Sequence, residues 1–296
     1  MPGATRFLAA VALVLAGCSV APTSAPSPSP ATPGPSGSAS PAPTASPVTG
    51  SLDHPTGADE IVFRFVEGGG FVPMGFFATE APLLSIYGDG TVIFRDGTPA
   101  PDPDDVVFRE PPFKIARMTE EELQAFLDEA LGDGGLGAAK ASYTGPGADL
   151  PTATFTINAA GRSKSVSVMA LGADREDGPD TPVLDALAAL GERLRAFDRE
   201  VEGEVLWTPD RWRGVLTPGA AAPPRAWPWP DIAPVGFVQH PERDAPQFPI
   251  RTMTPAEIEV LDVEGIEGGF SGLALAGPDG EAFLFALRPL FPDEAY

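Results

Sequence analysis

The sequence predicts an α+β fold: antiparallel hairpins packed against two amphipathic helices, followed by a smaller, loop-rich α+β C-terminal unit. Three observations carry this. Short segments of high β-propensity flank Asp-Gly turns, as in "LSIYGDGTVIFR". Two longer segments keep apolar residues on one helical face. After residue 204 proline becomes frequent and regular patterning weakens.

Taken in order, "EIVFRFV" (60–66) reads as a strand with Ile61, Phe63 and Phe65 on one face. Residues 83–87 and 91–95 read as strands around Gly88-Asp89-Gly90, where Asp-Gly supplies the positive φ angles of a tight hairpin. Beyond an acidic, proline-rich loop (99–105), "FKIARM" reads as a further strand. A helix follows. Thr119 caps it, Glu122 completes a capping box, and Met118 and Leu123 occupy the positions of a hydrophobic staple. Leu123, Phe126, Leu127, Ala130 and Leu131 make its buried stripe, and Gly132 ends it.

"TATFTIN" is next, with Phe155 and Ile157 facing one way and threonines the other; a turn over 158–161 returns through "RSKSVSVMAL". Thr181 as N-cap and Pro182 open the second long helix, whose apolar face is Val183, Leu187, Leu190, Leu194 and Phe197. Residues 59–200 therefore read β-β-β-(β)-α-β-β-α. In the remainder, "EVLWT" predicts a strand and 208–249 predict mostly loop. Thr254 and Glu257 form a second capping box before Ile258 and Leu261, and "SGLALAGPDGEAFLFAL" predicts a hairpin turning at Pro278-Asp279-Gly280. The main domain on this reading is 51–203, with 204–296 a smaller unit packed on it.

The N-terminus points to export. One positive charge, Arg6, precedes "FLAAVALVLA" (7–16), ten uncharged residues, the length of a signal-peptide core and about half of a membrane span. Leu15-Ala16-Gly17-Cys18 then resembles the lipobox of bacterial lipoproteins, whose cysteine is lipidated and becomes the first residue after cleavage at 17. Lipid on Cys18, the only cysteine, anchors the chain to the outer face of the cell membrane, or to a periplasmic or outer-membrane face in a cell with two membranes. No disulfide is then possible. Residues 19–50 are Pro, Ser, Ala, Thr and Gly, with a single Val apiece near each end, nine prolines and no charge; this composition predicts an extended disordered tether. The net charge of −22 argues against nucleic acid and against docking on anionic headgroups.

Over roughly 60–197, "LSIYGDGTVIFR", "MTEEELQAFLDEAL", the threonine-rich strand, "GRSKSVSV" and the closing leucine-rich helix resemble a domain of unknown function found in bacterial lipoproteins and other exported proteins. The resemblance implies an exported α+β domain and brings no catalytic residues.

Groups that carry chemistry are sparse. Of two histidines, His54 lies at the foot of the tether, which leaves His240 as the candidate base of a nucleophilic site. Gly269-Phe270-Ser271-Gly272 lacks the spacing of a nucleophile elbow. Zinc finds too few ligands once Cys18 is lipidated. Asp102, Asp104 and Asp105 form a candidate calcium loop, without the full loop signature. "EGGGF" (67–71) is not followed by Gly-Lys-Ser/Thr, and no cofactor is expected. All four tryptophans lie within 207–229, interleaved with arginines. Trp212, Trp227 and Trp229 with Arg211 and Arg213 are a candidate ligand surface for cell-wall glycan or an envelope protein; the alternative is that the indoles pack this loop-rich segment. The expected function is a membrane-anchored, non-enzymatic binding or interaction domain. The rival is an envelope hydrolase using carboxylates or His240 in a cleft between the two units.

Overall fold

A computed structural model describes residues 51–71, 76–97, 107–145, 147–219, 223–239 and 248–295. The fold is mixed α+β, mostly sheet. In chain order the elements are β1 (Ile61–Gly69), α1 (Phe76–Thr79), β2 (Leu84–Tyr87), β3 (Thr91–Arg95), β4 (Phe108–Arg109), β5 (Phe113–Arg117), α2 (Glu120–Leu131), β6 (Ser142–Tyr143), β7 (Pro151–Ala159), β8 (Arg162–Met169), α3 (Thr181–Arg195), β9 (Val205–Leu206), β10 (Trp212–Pro218), β11 (Arg225–Ala226), β12 (Ile250–Met253), α4 (Pro255–Glu259), β13 (Phe270–Ala276) and β14 (Ala282–Pro289).

Eight strands form the first sheet, in the order β6-β8-β7-β1-β2-β3-β5-β9, antiparallel except for β6–β8. Strand β7 shows why it forms. Ala153, Phe155, Ile157 and Ala159 are buried and alternate with half-exposed threonines. Ala160 and Gly161, both at positive φ (54° and 67°), turn it into β8. In the β2–β3 hairpin only Gly90 takes positive φ; Asp89 instead accepts the N–H of Thr91 through Oδ1 at 2.9 Å. The predicted face of β1 is broken. A bulge between Ile61 and Phe63 leaves Phe63 and Phe65 in the main core and turns Ile61 toward Tyr87 and Phe113 on the other side.

Leu123, Phe126 and Leu127 of α2 share one buried cluster with Leu187, Leu190 and Leu194 of α3 and with Phe63, Ile86 and Phe94 of the sheet. The capping box of α2 is present, Glu122 N–H donating to Thr119 and Thr119 N–H donating to Glu122. The start of α3 differs from expectation by one residue. Asp180 is its N-cap but makes no capping bond, because its carboxylate takes Lys140 Nζ at 2.6 Å; the Thr181 hydroxyl accepts the N–H of Gly178 instead.

The second sheet has the order β11-β13-β14-β10-β12, with β4 also pairing to β13. Its interior strand β10, between β14 and β12, falls in the region predicted to be loop. Six consecutive residues, Trp212 to Thr217, are buried. A strand covered on both faces carries no alternation to read. Gly214 is needed there, since a Cβ would lie 2.6 Å from Met253 Sδ and 2.9 Å from Phe285.

Chain order does not follow the sheets. Strand β9 completes the first sheet through β5, while β4 belongs to the second. Trp207 and Phe291 join Tyr87, Ile93 and Phe113 on the face of the first sheet away from α2 and α3.

Candidate functional site

The sequence embeds arginines in apolar strands: Arg64 in β1, Arg95 at the end of β3, Arg213 in β10 and Arg288 in β14. A guanidinium taken out of water needs a counter-charge. Two consecutive acids after β14 supply it in opposite directions. Arg64 donates from Nη1 and Nη2 to Asp293 at 2.9 and 2.7 Å, and Tyr87 Oη donates to the same carboxylate at 2.8 Å. Arg288 donates from Nη1 and Nη2 to Glu294 at 2.7 and 2.6 Å, with Arg213 Nη2 3.7 Å away and the Phe291 N–H donating at 2.9 Å.

Adjacent residues thus tie the first sheet and the second to one tail. Burial works against the Glu294 carboxylate, but Arg288 outweighs it, and Phe291 N–H and Arg213 add, so its pKa falls to about 2. Burial likewise opposes Arg64, yet Asp293 raises it. Burial first, then Asp293, pushes the Tyr87 hydroxyl up, so that it stays protonated and donates.

Arg95 is held differently, at a cleft of about 260 Å³ that it lines with Glu80, Glu110, Ser271 and Arg288. Its guanidinium lies 4.0 Å from the Phe113 ring centroid, and Nη1 donates to the carbonyls of Pro111 (2.7 Å) and Gly268 (3.1 Å). Nε and Nη2 find no acceptor among the described residues. Burial, helped by Arg288 and opposed by Glu110 at 4.0 Å, lowers its pKa to about 10, which leaves it charged at neutral pH.

Glu80 lies directly over Gly68, where an added Cβ would collide with Glu80 Oε1. Burial raises the Glu80 pKa against the pull of Arg288. The cleft therefore combines a partly desolvated carboxyl with a positioned guanidinium that has an unused edge. Such a pair of opposite charges has the chemistry to accept a small polar group. A larger groove, about 490 Å³, lies along α2 and the end of α3. Its Arg193 is committed to Glu129 and Glu200, so it is a solvated acidic surface.

Of the two readings of the tryptophan cluster, packing describes the indoles as they stand. Trp212 and Trp229 are only 6% and 4% exposed, in the core of the second sheet, and Trp207 packs against Phe113 and Phe291. Trp227 is half-buried, 5.1 Å from Trp229, and the indole N–H groups of both are spent on the carbonyls of Ile232 and Glu257. The physical reason is area: with few helices to cover the second sheet, the largest apolar side chains are drawn into it. Arg213 is buried in β10, while Arg211 is partly exposed beside Asp210. His54 is bonded to Glu120, with Nε2 3.1 Å from Oε1. Cys18, Asp102, Asp104, Asp105 and His240 lie outside the described residues.

Among the described residues no group of three or more His, Cys, Asp or Glu is placed to hold a metal ion, and no helix is long and apolar enough to cross a membrane. Sequence reasoning missed Arg95, Glu80 and Arg288. The legible signal was a lone arginine inside an apolar run, as in "VIFR" and "FALRPL". No family model matches the chain, and comparison with curated proteins and with solved structures returns no match.

Proposed function

We propose that the chain is an exported bacterial lipoprotein, anchored through lipid on Cys18, that presents residues 51–296 as a non-enzymatic binding domain on the proline-rich tether of 19–50. In the finer form of this reading, hairpins laid on two amphipathic helices, with a loop-rich C-terminal unit, are the scaffold that carries the ligand site. The anchor is supported by Leu15-Ala16-Gly17-Cys18 placed directly after a ten-residue apolar run. Binding is supported by one observation above all: Arg95 is held by stacking and two carbonyls, and its Nε–Nη2 edge has no acceptor among the described residues.

A strongly acidic surface leaves the acyl chains as the attachment, each buried methylene contributing about 0.8 kcal/mol. In a bacterial host fed radiolabelled palmitate, the full chain takes up label and sediments with membranes. Cys18→Ala abolishes the label and moves the protein to the soluble fraction. Label and sedimentation persisting in the variant would end the proposal.

A further inference from the structure

We infer that the cleft between the two sheets is a site for a small zwitterion with an apolar side chain, an α-amino acid by chemical class, its carboxylate on the Nε–Nη2 edge of Arg95 and its ammonium toward Glu80. This rests on the reading of the chain as a binding protein and names the ligand class of that site.

Charge bookkeeping selects the class. Of the charged residues lining the cleft, Glu67 is occupied with Arg195 and Arg288 with Glu294. Arg95 and Glu80 remain, with Glu110 4.0 Å from Arg95 Nη1. The two N–H groups along one edge of a guanidinium match the two oxygens of a carboxylate, and Arg95 offers that edge already oriented. A simple anion would meet Glu80 and Glu110 in the same confined space. A simple cation would meet Arg95 and Arg288. Only a molecule bearing both charges pairs each of them, and unpaired charges in a desolvated site are what reject the wrong ligand.

Size and lining narrow it further. At about 260 Å³ the cleft falls below the range of about 300–1,000 Å³ typical of ligand sites, which suits a single amino acid and excludes an oligosaccharide. Leu83, Phe270 and Leu287 form its apolar wall and favour an aliphatic side chain. Ser271 adds a hydroxyl at the rim of the bulge in β13.

The test is calorimetric titration of the full chain in detergent with L-leucine, N-acetyl-L-leucine and L-leucinamide. Leucine binds saturably, and each capped form, lacking one charge, binds more weakly by about tenfold or more. Glu80→Gln, nearly isosteric, weakens leucine by a similar factor and leaves N-acetyl-leucine as it was; thermal melting checks that the variant is folded, and the three ligands on the unaltered chain decide the matter if it is not. Equal affinity for all three ligands, or no leucine binding at millimolar concentration, overturns the inference. If leucine fails while Cys18→Ala still releases the protein from membranes, the ligand class falls and the anchor stands; the converse result separates them the other way.

Discussion

The first sheet buries one face beneath α2 and α3 with leucines, phenylalanines and small aliphatics, whereas the second, served by the five-residue α4, is filled by Trp212, Trp229, Phe237, Phe270 and Phe285. A helix covers a sheet with many modest side chains at regular spacing. Without one, a few rings of about 150–250 Å² each must do so, and two of them, Trp229 and Phe237, come from outside the strands. The polar groups differ in the same sense. In the helix-covered half the ion pairs are peripheral, such as Arg195 with Glu67 on a partly exposed surface. Where the second sheet meets the first, buried guanidiniums depend on two acids that follow β14, Asp293 and Glu294.

That contrast breaks most sharply at Glu294. Glu294→Ala leaves Arg288 and Arg213 buried without their carboxylate and costs about 3–5 kcal/mol in urea unfolding. The same group sets an acid limb. Its pKa is depressed from about 4.5 to about 2, so its contribution is fully present above pH ~4.5 and is lost as pH falls through 2. At about 1.4 kcal/mol per unit this amounts to roughly 3 kcal/mol, and Glu294→Gln flattens stability across that window. A variant as acid-sensitive as the parent would remove Glu294 from the account.

Trp229→Ala comes next, at about 3 kcal/mol, with half-buried Trp227→Ala losing clearly less. Equal losses would mean that burial does not rank these indoles. The smallest effect belongs to the first half. Thr119→Ala removes the cap of α2 and costs about 1 kcal/mol by the same unfolding measurement, because an exposed helix end can replace the bond with water.

Elements whose information is local were legible in the residues. The capping boxes at Thr119 and Thr254, the Asp-Gly hairpins and the alternation of β7 each depend on neighbours within a few positions. Strand β10 was not, since burial on both faces erases its period. The bulge that turns Ile61 away from Phe63 leaves no trace in a run of β-formers. For the site, the tryptophans drew attention by composition, but Trp207, Trp212 and Trp229 are core and Trp227 packs against it. Arg95 and Arg288 stand 193 positions apart and Glu80 lies farther still from Arg288, and nothing local tells that strands β3 and β14 bring them to one cleft.

By itself the sequence determined the helices α2, α3 and α4, the capping boxes at Thr119 and Thr254, the tight turns and the expectation of a lipidated Cys18, because each is a property of a short stretch of chain. The tertiary structure decided which arginines are buried, which acids answer them and which guanidinium keeps an edge without an acceptor among the described residues. Those outcomes depend on desolvation and on pairings across more than two hundred residues, as between Arg64 and Asp293, 229 positions apart. No short stretch encodes that distance.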